Sequence, residues 1–194
     1  MNDWNIGLAA WIIQDGNYSD FSRNQGREFA VEFYPHTVRP SLTKAKSAIL
    51  VADSTYRLTA EVIFRTTGVW VIDFGISAYQ QSEPPITIEK GEWVEGTFYL
   101  GVDPFFYFEE LSDLKGMPPL IHQWHIKQIH VETAPFVETI DDRGAKMLVR
   151  DQSKSSFREV EQTDAWKDDG GNAEYILKCQ PTDQAPAHHR QQQL

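Results

Sequence analysis

The chain has 194 residues, a formal charge of −10 and a single cysteine, Cys179. One cysteine cannot form an intrachain disulfide, which argues against a disulfide-stapled secreted domain and favours a cytoplasmic location. The acidic balance argues against duplex nucleic acid and anionic membranes as partners, because both bind through clustered lysine and arginine. It leaves open a basic protein partner, of the kind that an immunity or inhibitor protein neutralises.

The N-terminal quarter contains three candidate elements. The apolar run at residues 8–13 is too short for a signal h-region or a membrane span, and we interpret it as a buried strand. Apolar and polar residues alternate over residues 29–33, which predicts a second strand that pairs with the first as a long-looped hairpin. Prolines break the pattern over residues 35–40. Residues 41–52 then suit a helical turn that runs into a strand.

The middle of the chain has the clearest periodicity. Apolar residues recur at every second position over residues 56–65, 70–78 and 94–102, which predicts three half-buried strands. The period then changes. Asp103, followed directly by a proline, reads as a helix N-cap, and Gly116 stands where a residue just past a helix end belongs. The pattern predicts a meander of three strands followed by a short helix.

The C-terminal third is more polar. Residues 121–132 are rich in β-formers, but their apolar parity switches halfway, which predicts a β-bulge near Lys127. Three further strand candidates follow at residues 145–150, 157–160 and 173–179. Beyond them the chain has almost nothing apolar to bury, so the sequence predicts a disordered tail.

Together these elements predict a mainly β fold, an antiparallel small barrel or sandwich with one or two short helices. The order of three strands, a helix and a further strand resembles that of an OB-type Greek-key barrel. No sequence motif accompanies this order, so a sandwich or another small barrel stays open. The predicted organisation is a β-rich core over residues 1–137, a strand extension packed on it over residues 138–180, and the disordered tail at 181–194.

The candidate acid–base residues lie on the polar parity of these strands. Asp73, Glu95, Tyr99 and Asp103 would share one face if their strands are neighbours, although Asp103 already has a capping role, and His122 would add an imidazole. Such a group would suit a small hydrolase or lyase. The ordinary explanation is that every solvated strand face carries polar residues. The chain has no nucleophile elbow, no phosphate-cradling loop and no dinucleotide motif.

The candidate binding residues combine aromatic and acidic side chains. Trp93, Tyr99 and Tyr107, with Glu95 and Asp73, have the composition that interfaces favour, because aromatic side chains bury much area at low entropic cost. The function predicted first is therefore a non-enzymatic acidic barrel protein that binds another protein. The enzyme is the alternative.

No metal or cofactor is predicted. His122, His125 and His130 belong to one predicted strand, but the first two have opposite parity and point to opposite faces of a regular strand. Residues 168–172 contain aspartates and glycines but lack the spaced acids and the closing glutamate of a calcium loop. We interpret this segment as a tight turn.

Overall fold

The computed structural model describes residues 3–141 and 143–190, with 51% of residues in strands and 9% in helices. The strands are β1 (Trp4–Ala9), β2 (Gly26–Phe29), β3 (Val31–Pro40), β4 (Ser47–Ala52), β5 (Thr55–Thr66), β6 (Val69–Asp73), β7 (Ser77–Gln80), β8 (Trp93–Val102), β9 (His122–Glu132), β10 (Phe136–Ile140), β11 (Lys146–Arg150), β12 (Phe157–Val160) and β13 (Glu174–Pro181). The helical segments are α1 (Ala10–Gln14), a π-helix at Tyr107–Leu111 and 3₁₀ turns at Gln152–Lys154 and Asp168–Gly171.

Five strands close into a barrel, which confirms the predicted mainly β barrel fold. Strand β8 pairs with β3 and β5, β5 with β6, and β6 with β7, all antiparallel. A parallel contact between Glu32 on β3 and Tyr79 on β7 completes the ring. Strand β5 has twelve residues, so its first half can pair with β8 while its second half pairs with β6. Phe33, Trp70 and Phe98 pack edge-on and are fully buried.

The membership of this barrel differs from the OB-type order expected. The strand after the helix, β9, lies outside the ring, and β3, which precedes the three alternating strands in the chain, takes the fifth position. Both strands alternate apolar and polar residues, so local periodicity does not distinguish them. Only their pairing partners show which of the two strands belongs to the barrel.

Outside the barrel, β9 pairs with β2, β12 and β13, and β13 pairs in turn with β1. Strand β1 reaches the barrel through one parallel pair, Gly7 and Gly101. Along β9, Lys127 is an extra residue, because Lys178 of β13 lies opposite Gln128 and the next residue of β13 lies opposite Ile126. The bulge predicted near Lys127 is confirmed.

Two N-terminal predictions are wrong. Strand β1 ends at Ala9, and residues 10–14 form the short helix α1, which buries Ala10, Ile12 and Ile13. A run this apolar fits either a buried strand or a buried helical turn, and only the packing decides between them. The first two strands also do not form a hairpin, because the antiparallel partner of β1 is β13.

Pro35 does not end β3. A register shift between Pro35 and Thr37 lets the strand continue along β8 to Pro40, since proline is tolerated at a bulge. Residues 41–46 contain no helical turn before β4. The predicted second strand of the meander is two strands, because Gly75 has a φ of +119° and reverses the chain between β6 and β7.

The helix after Asp103 is shorter than predicted. It is a single π-helical turn in which the backbone N–H of Ser112 donates to the carbonyl of Tyr107 at 2.7 Å. Gly116 has a φ of +83°, which suits a chain reversal after the helix.

The predicted tail is described as far as residue 190, and residues 191–194 lie outside the described residues. Ala187 makes an antiparallel bridge with Ile121. The Arg190 guanidinium lies 3.9 Å from the ring centroids of both Tyr18 and Phe108. Residues 182–190 therefore contact the rest of the protein without forming a strand. The boundary predicted at residue 137 falls inside β10, and β13 lies within the main sheet between β1 and β9.

Candidate functional site

The outer face of the barrel carries four of the predicted site residues. Along β8, Val94 and Phe98 are fully buried in the core, and Trp93, Glu95 and Tyr99 lie on the opposite face of the strand. Asp73 lies on the same outer surface, at the end of β6. We call the outer surface of β3, β8, β5 and β6 the outer face.

Glu61 of β5 connects Asp73 to the outer face. It lies directly opposite Asp73 on β6 and directly opposite Trp93 on β8, so the three residues form one row across three strands. Tyr99 lies six positions beyond Trp93 on β8, a distance of about 20 Å at roughly 3.3 Å per residue. The structure therefore brings Asp73 near Trp93 and places Tyr99 at the other end of the strand.

Both predicted carboxylates on this surface are engaged in ion pairs. Lys46 Nζ lies 2.6 Å from Asp73 Oδ2. Arg39 donates from Nε to Glu95 Oε1 at 2.8 Å, and Ser41 Oγ donates to Glu95 Oε2 at 2.8 Å. The Ser41 and Arg39 hydrogen bonds lower the pKa of Glu95. Glu95 is therefore ionised at neutral pH and has no proton to donate.

A groove of about 450 Å³ crosses β3, β8 and β5 on the outer face. Of the five predicted acid–base residues, Glu95 alone lines it. Strand register places six of its lining side chains in two rows, Thr37, Thr97 and Arg57 in one and Arg39, Glu95 and Thr59 in the other. The sequence analysis did not single out Arg57 or the threonines, because they read as ordinary solvent-facing positions.

His122 and Tyr107 do not lie on the outer face. His122 is buried on β9, where desolvation lowers its pKa to about 4, so the imidazole is neutral at neutral pH. Its Nε2 has no hydrogen-bond partner among the described residues. Tyr107 is fully buried, and its hydroxyl donates to the carbonyl of Pro118 at 2.8 Å. Tyr107 was predicted as a binding residue, and burial removes it from any surface.

A second cluster of ionisable groups lies between the barrel wall and the π-helix, and the sequence did not reveal it. The Tyr79 hydroxyl lies 2.7 Å from Glu32 Oε1 and 2.6 Å from Asp103 Oδ1. The Tyr34 hydroxyl donates to Glu32 Oε2 at 2.5 Å. Asp103 is fully buried and Glu32 is 5% exposed. We call Glu32 and Asp103 the buried carboxyl pair, and the Tyr79 hydroxyl lies between them.

The Tyr79 hydroxyl has one hydrogen and cannot donate to two carboxylates at once. One of its two contacts therefore requires a carboxylic acid that donates to the tyrosine oxygen. Burial raises the pKa of Asp103 to about 7, and burial also raises the pKa of Glu32, while the Tyr79 hydrogen bond acts in the opposite direction on both. The pair therefore shares a proton near neutral pH.

Arg190 supplies the positive charge beside this pair. Its guanidinium is enclosed between the Tyr18 and Phe108 rings, and its charge lowers the pKa of Asp103 against the effect of burial. The Tyr18 hydroxyl donates to the backbone carbonyl of Asp103 at 2.7 Å. Asp103 Oδ2 and two guanidinium nitrogens of Arg190 have no hydrogen-bond partner among the described residues. Neither Glu32 nor Asp103 lines the groove on the outer face.

Comparison with known proteins adds no functional assignment. No family model matches the chain, and neither a curated protein nor a solved structure is significantly similar to it. Within residues 3–141 and 143–190, no three His, Cys, Asp or Glu side chains are grouped to hold a metal ion. No helix in these ranges is long and apolar enough to cross a membrane. The fold and site define an all-β protein with a closed five-stranded barrel and a grooved outer face.

Proposed function

We propose that this protein binds another protein, and that an extended segment of the partner pairs with the free edge of β4. Among the described residues, β4 pairs with β5 and with no other strand. Ile49, Leu50 and Val51 are 57%, 47% and 46% exposed. A free strand edge presents unpaired main-chain N–H and C=O groups, which an incoming strand can satisfy. This exposed apolar edge is the observation that carries the proposal.

The edge lacks the features that soluble proteins usually place on exposed strands. Natural edge strands are commonly protected by lysine, proline or a very short length. Strand β4 has the six-residue sequence Ser-Ala-Ile-Leu-Val-Ala, with no charge and no proline. A register shift between Leu50 and Ala52 is present, but five of its six residues are still exposed. Such an edge is suited to a partner that covers it.

The partner we propose is a basic protein. The formal charge of −10 would attract a basic protein over a distance and speed its association. Charges beside β4 are mixed, with Lys44 and Lys46 before the strand, Asp53 after it and Arg57 on β5. The net charge would therefore increase the association rate. The contact itself would be made by the main-chain groups and apolar side chains of β4.

Ile49→Lys combined with Val51→Lys should weaken binding to the purified partner at least tenfold. Two ammonium groups on the edge would have to be desolvated when a partner strand docks there. Ile140→Lys is the matched control, because Ile140 is a strand residue of β10 with 68% exposure. Binding kinetics on immobilised protein would compare the wild type with the two variants. Association should slow with added salt more than dissociation changes.

Backbone amide hydrogen exchange in the complex locates the contact independently. Exchange over residues 47–52 should slow when the partner binds, because a new strand would pair with their free main-chain groups. Unchanged exchange over β4, or an equal loss of affinity in the Ile140→Lys control, would show that the partner binds elsewhere. Salt-insensitive association would refute the basic partner while leaving the edge contact standing.

A further inference from the structure

We infer that the groove across β3, β8 and β5 binds a small soluble anion, a ligand that carries a phosphate or carboxylate group. This groove lies beside the proposed contact at the edge of β4, since Arg57 is directly opposite Ile49, but the inference does not depend on that proposal. Three features of the groove support it: its shape, the charge that its lining leaves uncompensated, and the hydroxyl groups beside that charge.

The shape follows from the path of β3. The register shift between Pro35 and Thr37 is a bulge, and a bulge bends the strand that contains it. The bend brings β3 so close to β8 that a side chain at Gly96 would overlap the Thr37 carbonyl. An open groove of about 450 Å³ lies over these three strands on the outer face.

The charge of the groove opposes that of the whole chain. Its lining contains Arg39, Arg57 and Glu95 as charged residues. Both oxygens of Glu95 are already bound, one by Arg39 and the other by Ser41. The Arg57 guanidinium has no hydrogen-bond or ion-pair partner among the described residues. One positive charge is thus left uncompensated in a concave site of a protein whose formal charge is −10.

The hydroxyl groups lie where an oxyanion held by Arg57 would need them. Thr97 lies directly opposite Arg57 on the neighbouring strand, and Thr59 is two positions along β5 on the same face. A guanidinium offers paired N–H donors that match two oxygens of a carboxylate or phosphate, and adjacent hydroxyls can donate to a third. Arg158 on β12 provides the comparison, because it lines a different and smaller pocket that also contains the carboxylates of Glu132, Asp168 and Asp169, which oppose an anion.

The test uses the full-length protein, with inorganic phosphate and succinate as probes at constant ionic strength. Amide chemical shifts would be followed by NMR in wild type, Arg57→Gln, Arg57→Lys and Arg158→Gln. We expect saturable shifts at residues 57–59 and 95–97. Arg57→Gln should weaken binding at least tenfold, and Arg158→Gln should change it less than twofold. Arg57→Lys should give an intermediate affinity, because lysine keeps the charge but loses the paired donors.

The two probes separate the possible ligands. Tighter binding of phosphate would assign a phosphate-bearing ligand, and tighter binding of succinate a carboxylate-bearing one. The inference fails if neither anion gives saturable shifts in the groove, or if Arg158→Gln weakens binding as much as Arg57→Gln. If Arg57→Gln does not fold, Arg57→Lys should still bind more weakly than the wild type, and Arg158→Gln should still change binding less than twofold. Equal losses in these two variants would overturn the inference.

Discussion

Gly96→Ala should destabilise the protein by about 3 kcal/mol, because overpacking of this kind usually costs 1–3 kcal/mol and here the obstacle is backbone. A Cβ on Gly96 would lie 2.0 Å from the carbonyl oxygen of Thr37 and 2.8 Å from its carbonyl carbon. A side chain could rotate away, but the Thr37 backbone belongs to β3, which is fixed in the barrel by β8 and β7. Urea unfolding monitored by tryptophan fluorescence would measure the free energy of unfolding.

Gly26→Ala is the matched control for this substitution. Gly26 is also a strand glycine, and the nearest atom to a Cβ placed there is the Trp124 carbonyl oxygen at 3.9 Å, an ordinary contact distance. Its free energy of unfolding should change by less than about 0.5 kcal/mol, as surface substitutions usually do. Similar losses in both variants would mean that β3 and β8 do not approach as closely at Gly96 as the structure shows.

The stability of the wild type relative to Asp103→Asn should fall as pH rises from about 4 to about 7. Burial raises the pKa of Asp103 to about 7 from an ordinary value of 3.8, so the folded protein holds this proton more tightly than the unfolded chain. The stabilising contribution is complete below pH 4, is lost across this window and is constant above it. The change should reach several kcal/mol, because one pKa unit corresponds to about 1.4 kcal/mol.

Unfolding free energies of the two proteins at pH 4, 5, 6, 7 and 8 would measure this difference. Groups that do not interact with Asp103 cancel, including His122, whose lowered pKa acts in the opposite direction. Tyr79→Phe is the second variant, since it removes the hydroxyl shared by Glu32 and Asp103 and should make both carboxyls harder to ionise. A difference between wild type and Asp103→Asn that does not vary with pH would show that Asp103 does not hold the extra proton.

The groups that face Asp103 come from several parts of the chain. Tyr79 lies on β7, Glu32 on β3, Tyr107 on the π-helix and Arg190 near the C-terminus, and all of them act on the pKa of Asp103. Only Tyr107 is near Asp103 in sequence. The sequence predicts that Asp103 is a helix N-cap, but the N-cap of the π-helical turn is Phe106, and Asp103 Oδ1 instead accepts from the Tyr107 backbone N–H at 3.3 Å. The sequence does not predict the carboxyl pair.

Part of the candidate site was predictable from alternation. The period-two pattern of β8 places Trp93, Glu95 and Tyr99 on one face, and the structure has them there. Alternation gives no distance along or across strands, so it grouped Tyr99 with Asp73, which lies at the opposite end of the barrel face. It also did not distinguish Arg57 from other solvent-facing residues, because alternation does not show which of them line a groove.

By itself, the sequence determined the features that depend only on residues close together in the chain. Side-chain periodicity predicted β5 and β8, and a switch of parity predicted the bulge at Lys127. The conformational freedom of glycine predicted the turn at Gly116. Tertiary structure alone decided which strand closes the barrel, whether residues 10–14 coil into a helix and whether Glu32 is solvated or buried. Each of these depends on pairing or burial between residues far apart in the chain, and such contacts leave no periodic signal in any one segment.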